Sequence, residues 1–348
     1  MDHLTAQVAN LRQLGQSKFF TMKIQKAGYQ GLYFPDLKVA VDAHHPDADY
    51  VFVSHAHADH MPRNRSSKAY ASKATIDLMR HRGFKGEGHA LDFGETVESD
   101  RFKAKIYPAG HILGSAMIYL ESDKESLLYT GDFRTPPSPA TEGFEAPDQV
   151  DILITEATFS LPIYRWKTND ELAEEVRSFA SDTLTENYTP VFLAYNLGKA
   201  QEIMHLVAPL NHNVMIHGAG HKMCPVYDAN GIDLGKYEAY DRETCEGNIL
   251  ICPSSAFSNG FASNVSKKRI AYCSGWASNE SRRTQLTVDK LIPLSDHLDF
   301  FELINFCKQL NPKKVFITHT PNPAVVQHYL EKENINAGHI DIEMNEED

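Results

Sequence analysis

Three histidines and an aspartate close a short apolar run at residues 51–60: His55, His57, Asp59 and His60, spaced H-x-H-x-D-H behind β-branched and aromatic side chains. Imidazole and carboxylate groups this dense are costly to bury unless a shared cation compensates their desolvation. In extended backbone leaving a strand, residues two apart point the same way, so His55 and His57 can grip one ion. Asp59 and His60 fall on the following turn, face a different direction and suit a second ion. Neutral imidazole with carboxylate suits Zn²⁺. Two ions roughly 3.5–4 Å apart form a clamp for hydrolysing phosphate esters or acyl compounds. The bland alternative is a surface histidine cluster with no ligand role, which the apolar strand in front of it disfavours.

The elements around this stretch repeat its logic. Alternating residues 101–107 lead to His111 at a strand-to-loop junction, 127–130 end in Gly131-Asp132, and 151–155 end in Glu156. Three apolar strands in succession thus end in a potential ligand or acid. Further on, 291–294 lead to Ser295-Asp296-His297 and 315–317 to Thr318-His319. Ligands on different strand ends converge when the strands are neighbours, which predicts a layered α/β fold with its site along one sheet edge.

Strands are also expected at 29–34 and 38–42, and a helix from Ser72 to Arg82 stopping at Gly83. Thr168 with Glu171 makes a capping box, and Leu172, Val176 and Phe179 mark the buried face of the helix it opens. Strands at 190–195, 214–217, 248–252 and 269–274, with a helix at 198–206, give residues 167–277 a rhythm of their own. They read as an inserted α/β domain within a main domain of residues 21–166 and 278–348. Leu4, Val8, Leu11 and Leu14 make residues 1–20 an N-terminal extension, either a short amphipathic helix or frayed chain, and the acidic 343–348 read as a disordered tail.

A length of 348 residues allows two domains or one carrying a large insertion. A net charge of −12 argues against a protein that coats nucleic acid through its overall field, so a polyanionic substrate must be held by a local groove and by metals. The five cysteines are odd in number and form no C-x-x-C pair; they read as reduced thiols of a cytoplasmic protein. No apolar run approaches the eighteen or so residues of a membrane helix, and the first twenty residues show no secretory pattern.

H-x-H-x-D-H, a lone His after Gly110 in G-H-x-x-G-S, the Asp of T-G-D-F and a strand-end His near residue 319 together resemble the metallo-β-lactamase superfamily. The resemblance implies a four-layered αββα sandwich, with His55, His57 and His111 on one zinc, Asp59, His60 and His319 on the other, and Asp132 bridging. All seven positions are filled. Residues 155–159 (TEATF), Ser295-Asp296-His297 and Thr318-His319 further resemble the extra motifs of the β-CASP nucleases, which carry an inserted domain and cleave DNA or RNA. Residues 161–166 (LPIYRW), 197–201 (LGKAQ), 217–219 (HGA) and 274–276 (SGW) are similar to bacterial ligase-associated DNA exonucleases, and the match spans about Gly28 to Pro321. Leu298 and Phe300 depart from the usual Ala and Trp, Thr320 stands where Gly is common, and the insert is shorter than in eukaryotic or ribonuclease members.

Two Zn²⁺ ions, or Mn²⁺ in their place, would acidify a water for attack on phosphorus and stabilise charge on the phosphoryl oxygens. A deoxyribose 3′-oxygen leaves poorly unless protonated, which makes His297 the candidate general acid and Glu156 its orienting partner. Their structural alternatives are a helix-capping histidine and a charge partner at a helix N-terminus. Asp59 is a ligand that also has the chemistry to steer the attacking water. Arg165 and Trp166 offer a guanidinium and a stacking plane for single-stranded nucleic acid, against a salt-bridged Arg and a core Trp. Ser254, Ser255 and Ser274 suit a terminal-phosphate pocket or are ordinary turn serines. Lys199 reaches a phosphate or sits in solvent, and His217 serves at most a domain contact.

From residue 266 to 283 five basic residues stand against one acid, Glu280. The expected function is therefore a dizinc DNA exonuclease acting on single strands or ends, beside a DNA ligase in repair. An RNA-processing nuclease is the alternative within the same chemistry. Thioester or lactone hydrolysis would leave Glu156, His297 and the insert unexplained, and a non-catalytic nucleic-acid scaffold would not hold two zinc equivalents.

Overall fold

The computed structural model describes residues 22–62 and 67–341. The expected N-terminal helix and acidic tail lie outside them. The first sheet contains, in spatial order, β1 (Gln25–Ala27), β2 (Gly31–Phe34), β3 (Val39–Val41), β4 (Tyr50–Phe52), β5 (Lys68–Ser72) and β6 (Glu87–Leu91). β1 to β3 form an antiparallel meander, and β3 to β6 run parallel. The sequence KAYAS of β5 has weak strand propensity and no clear periodicity. It is held as a strand because β4 and β6 flank it, an override of local preference by tertiary pairing.

The chain then builds β7 (Thr96–Glu98), β8 (Lys103–Pro108), β9 (Ala116–Glu121), β10 (Ser126–Tyr129) and β11 (Ile152–Glu156), most of a second sheet. Next come β12 (Thr189–Leu193), β13 (Val214–Ile216), β14 (Tyr237–Ala239), β15 (Ile249–Cys252), β16 (Lys268–Cys273) and β17 (Lys290–Ile292), which form a third, wholly parallel sheet. Only afterwards do β18 (Lys314–Thr318) and β19 (Ala337–His339) return to the second sheet beside β11. The third sheet therefore interrupts the second, as an insertion does. β17 pairs with β16, so this third sheet extends past residue 277, the expected end of the inserted domain. A three-residue KLI strand carries too little pattern to reveal which sheet it joins.

Apolar faces explain the layering. Phe34, Val39, Val41 and Phe52 of the first sheet share one cluster with Ile106, Ile118, Leu120 and Ile154 of the second, so these two sheets bury a common core. The other face of the second sheet is covered by helices Phe300–Leu310 and Pro323–Lys332, through Leu303, Cys307, Val326 and Leu330. Helix Lys73–His81 packs Ile76, Leu78 and Met79 in a cluster that continues into Ile203, Ile216 and Ile251 of the third-sheet region. Thr168 forms the expected capping box on helix Asn169–Thr185. All five cysteines are free and buried. Among the described residues, no helix is long and apolar enough to cross a membrane.

Candidate metal centre and its cleft

The candidate ligands follow the carboxyl ends of strands. β4 ends before Ser54 and His55, β8 before His111, β10 before Asp132 and β18 before His319. β10, β11 and β18 are parallel neighbours with Glu156 in register with Thr318, so Asp132, Glu156 and His319 emerge along one edge. His319 has φ 46° and Asp42, just beyond β3, has φ 52°. Left-handed backbone in such residues costs on the order of 1–3 kcal/mol and persists where the surroundings over-determine it.

His55, His57, His111 and Asp132 are buried, and one donor atom of each lies within 4.8 Å of the others. His57 Nδ1 is 3.2 Å from His111 Nε2. Asp132 Oδ2 is 3.5 Å from His55 Nε2 and 3.8 Å from His111 Nε2. Donors about 2.0–2.1 Å from a tetrahedral ion stand about 3.3 Å apart, so this spacing fits a shared zinc. The opposite ring nitrogens are held in place. His55 Nδ1 meets Ser54 Oγ at 2.9 Å, His57 Nε2 donates to the Leu197 carbonyl at 3.1 Å, and His111 Nδ1 donates to the Asp296 carbonyl at 2.9 Å. Such partners fix the tautomer and leave the inward nitrogen available to a metal. His55 Nε2 is buried without a hydrogen-bond partner, as an unligated donor would be.

The same Asp132 Oδ2 lies 3.6 Å from His60 Nε2, which places this carboxylate between both groups of candidate ligands. The His60 and His319 ring centroids are 5.5 Å apart, and His319 Nε2 is a second buried donor with no hydrogen-bond partner. Asp59 is half-buried and lines the same cleft. Asp42 is a member of the site that no sequence motif marks. It accepts from His60 Nδ1 at 2.9 Å, from Ser54 N at 2.7 Å, from Ser54 Oγ at 2.6 Å and from Tyr129 Oη at 2.9 Å. Its only signal in the sequence is its position, an acid ending an apolar strand like the ligands themselves.

Charge in this cluster is strongly coupled. Burial and the neighbouring His60, His111 and His57 hold His55 well below the usual imidazole range, so it is neutral and fit to ligate. Burial also depresses His319, to about 4. Burial opposes protonation of His60, but Asp132 and the Asp42 hydrogen bond outweigh it and lift His60 to about 10. Burial raises Asp132 to about 7 despite the pull of His60. A cation would take over the role of these protons, because donors so crowded cannot otherwise share the site.

Next to the cluster, His297 Nδ1 donates to Glu156 Oε1 at 2.7 Å. Burial works against both charges. The pair nevertheless holds His297 near 10 and Glu156 near 2, so the proton sits on the imidazole. Glu156 also accepts from Phe133 N at 3.1 Å, Thr158 N at 3.2 Å and Thr158 Oγ1 at 2.6 Å. The helix after His297 is capped by Asp299 with Glu302, so His297 is not its cap. Trp166 donates its indole N–H to the His297 carbonyl at 2.9 Å and its backbone N–H to Asp299 Oδ2 at 3.0 Å. It props His297 and packs on Phe159 at 4.8 Å, instead of presenting an open stacking plane.

The cleft over the cluster is lined by Asp59, His60, Asp132, His297 and His319 from one side. Tyr195, Lys199, Ser254, Ser274 and Trp276 line it from the other. The second group follows the carboxyl ends of β12, β15 and β16, the usual binding edge of parallel sheets. Lys199 is buried and ion-paired with Asp296, not solvated. Its helix starts at Gly198, whose φ of 97° and a Cβ position 2.4 Å from Ile112 Cγ2 admit only glycine. Ser255 is exposed and Arg165 is exposed over the Phe301 ring at 5.6 Å; neither lines the cleft. None of the five basic residues at 266–283 lines it either, and Arg269 instead pairs with Glu186. His217 is half-buried at the start of helix Gly218–His221, where it accepts from Ala219 N. Trp276 stands in the sequence only as part of the SGW motif, and its place in the cleft depends on the turn after β16.

No family model matches the chain. It is 34% identical over 292 residues, 83% of its length and 28% of the relative's, to a protein of Opitutus terrae named probable DNA ligase. It is 33% identical over 184 residues, 46% of its length and 43% of the relative's, to an RNase J-like protein of Methanocaldococcus jannaschii. It is 24% identical over 248 residues, 60% of its length and 32% of the relative's, to cleavage and polyadenylation specificity factor subunit 3 of Dictyostelium discoideum. The chain spans less than half the length of these curated relatives. In fold it is similar to the crystal structure of an Enterococcus faecalis protein of unknown function, with TM-score 0.57, 14% identity, and 87% and 82% of the two chains covered. These relatives, together with the buried histidine and aspartate cluster, support a place for the chain among the β-CASP nucleases of the metallo-β-lactamase superfamily, a group of metal-dependent hydrolases.

Proposed function

We propose that the protein is a dizinc, end-acting DNA exonuclease that works in repair or end processing beside a DNA ligase. The observation that carries phosphodiester hydrolysis is the His297–Glu156 pair held against the ligand cluster: a proton donor, fixed and charged, where a leaving oxygen needs one. His55, His57, His111 and Asp132 would hold one ion; Asp59, His60 and His319, with Asp132 between, would hold the other. The ions would activate water and neutralise charge developing on the phosphoryl oxygens. Asp42, Ser54 and the Leu197 carbonyl orient the imidazoles. Glu156 keeps the His297 proton in place until the sugar oxygen leaves, and Asp59 faces the cleft where the attacking water must be steered.

Two sheets with a common core and helices over the second support an αββα body. The third sheet supports a smaller β-CASP-like α/β insert reaching to Ile292. The DNA reading is supported by the relative named probable DNA ligase, and a terminal-phosphate pocket by Ser254 and Ser274 in the cleft. The five free, buried thiols support a reducing compartment such as the cytoplasm. RNA processing is the second reading, favoured by the relatives named RNase J-like protein and cleavage and polyadenylation specificity factor subunit 3. Matched DNA and RNA oligonucleotides with 5′-phosphate, 5′-hydroxyl or blocked ends decide between them. A ladder from one end of the DNA alone supports the first reading, RNA-only cleavage the second, and no cleavage of either removes both.

A further inference from the structure

Gln30 lies in the turn between β1 and β2 and is 1% exposed. Neither its Nε2 nor its Oε1 has a hydrogen-bond partner, yet the residue lines the cleft that holds Asp59, His60 and His319. Leaving a buried amide unpaired costs about 1–3 kcal/mol, so each such group calls for a reason. The turn fixes Gln30 where it is. A Cβ on Gly31 would stand 2.3 Å from the Val41 carbonyl oxygen and 2.5 Å from Ala43 Cβ, so the chain can pass there only as glycine. Leu32 pairs with Val41, and the next residue beyond Val41 is Asp42, which orients His60. The same rigid corner thus presents Gln30 to the cleft and steadies a candidate ligand.

We propose that Gln30 positions the nucleic-acid strand at the scissile bond. Its Nε2–H donates to a non-bridging oxygen of the phosphodiester, and its Oε1 accepts from a hydroxyl or water on the same nucleotide. An uncharged donor suits this place. It grips a phosphate already facing cations without adding a further positive charge that they would repel. The cost of the unpaired amide in the free protein is recovered when substrate arrives, an instance of preorganisation at the expense of stability. The inference rests on the nuclease reading of the same cleft.

The test compares the full-length, zinc-loaded wild type with Gln30→Met and Gln30→Glu on a single-stranded oligonucleotide. Steady-state kinetics, zinc content and thermal unfolding with and without the oligonucleotide are measured together. Methionine matches the length and removes both polar atoms. It should keep zinc, leave the Tm of the free protein unchanged or higher, and lower kcat/KM by about 10- to 100-fold, the worth of a hydrogen bond to a charged group. Glutamate sets a carboxylate against the phosphate and should lose more, chiefly through KM. The oligonucleotide should raise the Tm of the wild type more than that of either variant. Wild-type kcat/KM in Gln30→Met overturns the inference and leaves the nuclease reading standing. A lower Tm with matching loss of zinc also overturns it and makes Gln30 structural. A wild type that neither binds nor cleaves the oligonucleotide removes both.

Discussion

Replacing Glu156 with glutamine keeps the shape of the acid's support and removes its charge. Two unit charges about 4 Å apart at the effective dielectric of such sites attract by about 4 kcal/mol. Since about 1.4 kcal/mol moves a pKa by one, His297 should fall from about 10 to about 7. The sign follows from its role. A general acid must carry its proton, so activity is lost as pH rises past its pKa, and the basic limb of the kcat/KM profile should move about three pH units lower in Glu156→Gln. At pH 8.5 the variant would hold about 3% of the protonated form and run about 30-fold slower. Cations bound nearby lower both values together, so the separation between the two profiles is the quantity to read. The assay is the initial rate on an end-labelled oligonucleotide from pH 5.5 to 10, with zinc measured in each preparation. A uniform loss at every pH, with the limb unmoved, would refute the proton-donor argument and leave Glu156 a packing residue.

Other expectations follow from the neighbouring contacts. Asp42→Ala removes the acceptor of His60 Nδ1 and should weaken metal binding about 10- to 100-fold, read by competition with a chromogenic chelator. Unchanged affinity would show that Ser54 and the metal orient the site alone. Arg134 and Glu202 form a buried ion pair at 2.9 Å, and Arg134 also donates to Asn169 at 2.6 Å, tying strand-end and insert helices together. Glu202→Ala leaves that guanidinium uncompensated and should cost about 3–5 kcal/mol in urea unfolding. A cost below about 1 kcal/mol would mean that water reaches the pair.

What can be read from the chain is set by how each residue does its work. His55, His57, His111, Asp132 and His319 stand directly after apolar strands, and that local pattern by itself announces convergence. The parallel strands of the insert are legible for the same reason, being short buried runs such as ILIC and TPVFL. Asp42 sits in an equally telling place but alone, and one acid after a strand is indistinguishable from an ordinary turn acid until Tyr129 and His60 are seen around it. The Leu197 carbonyl that fixes His57 is backbone and leaves no residue signature at all. Substrate contacts are the least legible, because composition says nothing of direction. Arg165 and Ser255 are exposed outside the cleft, Trp166 turns inward as a prop, and in the basic run at 266–283 Arg269 pairs with Glu186 and Arg283 with Glu280. Gln30 is invisible in the sequence because its meaning lies in the partners it lacks.

The most direct measurement follows metal content and cleavage together, in the wild type and in His297→Ala, on end-labelled single-stranded DNA with and without a chelator. The expected result is close to two zinc equivalents in both proteins, with wild-type cleavage abolished by chelation and restored by zinc or Mn²⁺. His297→Ala should be slower by about 100- to 10,000-fold, the usual worth of a general acid. Intact DNA in the presence of two bound zinc ions would contradict DNA cleavage at this site. Loss of metal in His297→Ala would make that residue a ligand and not the acid.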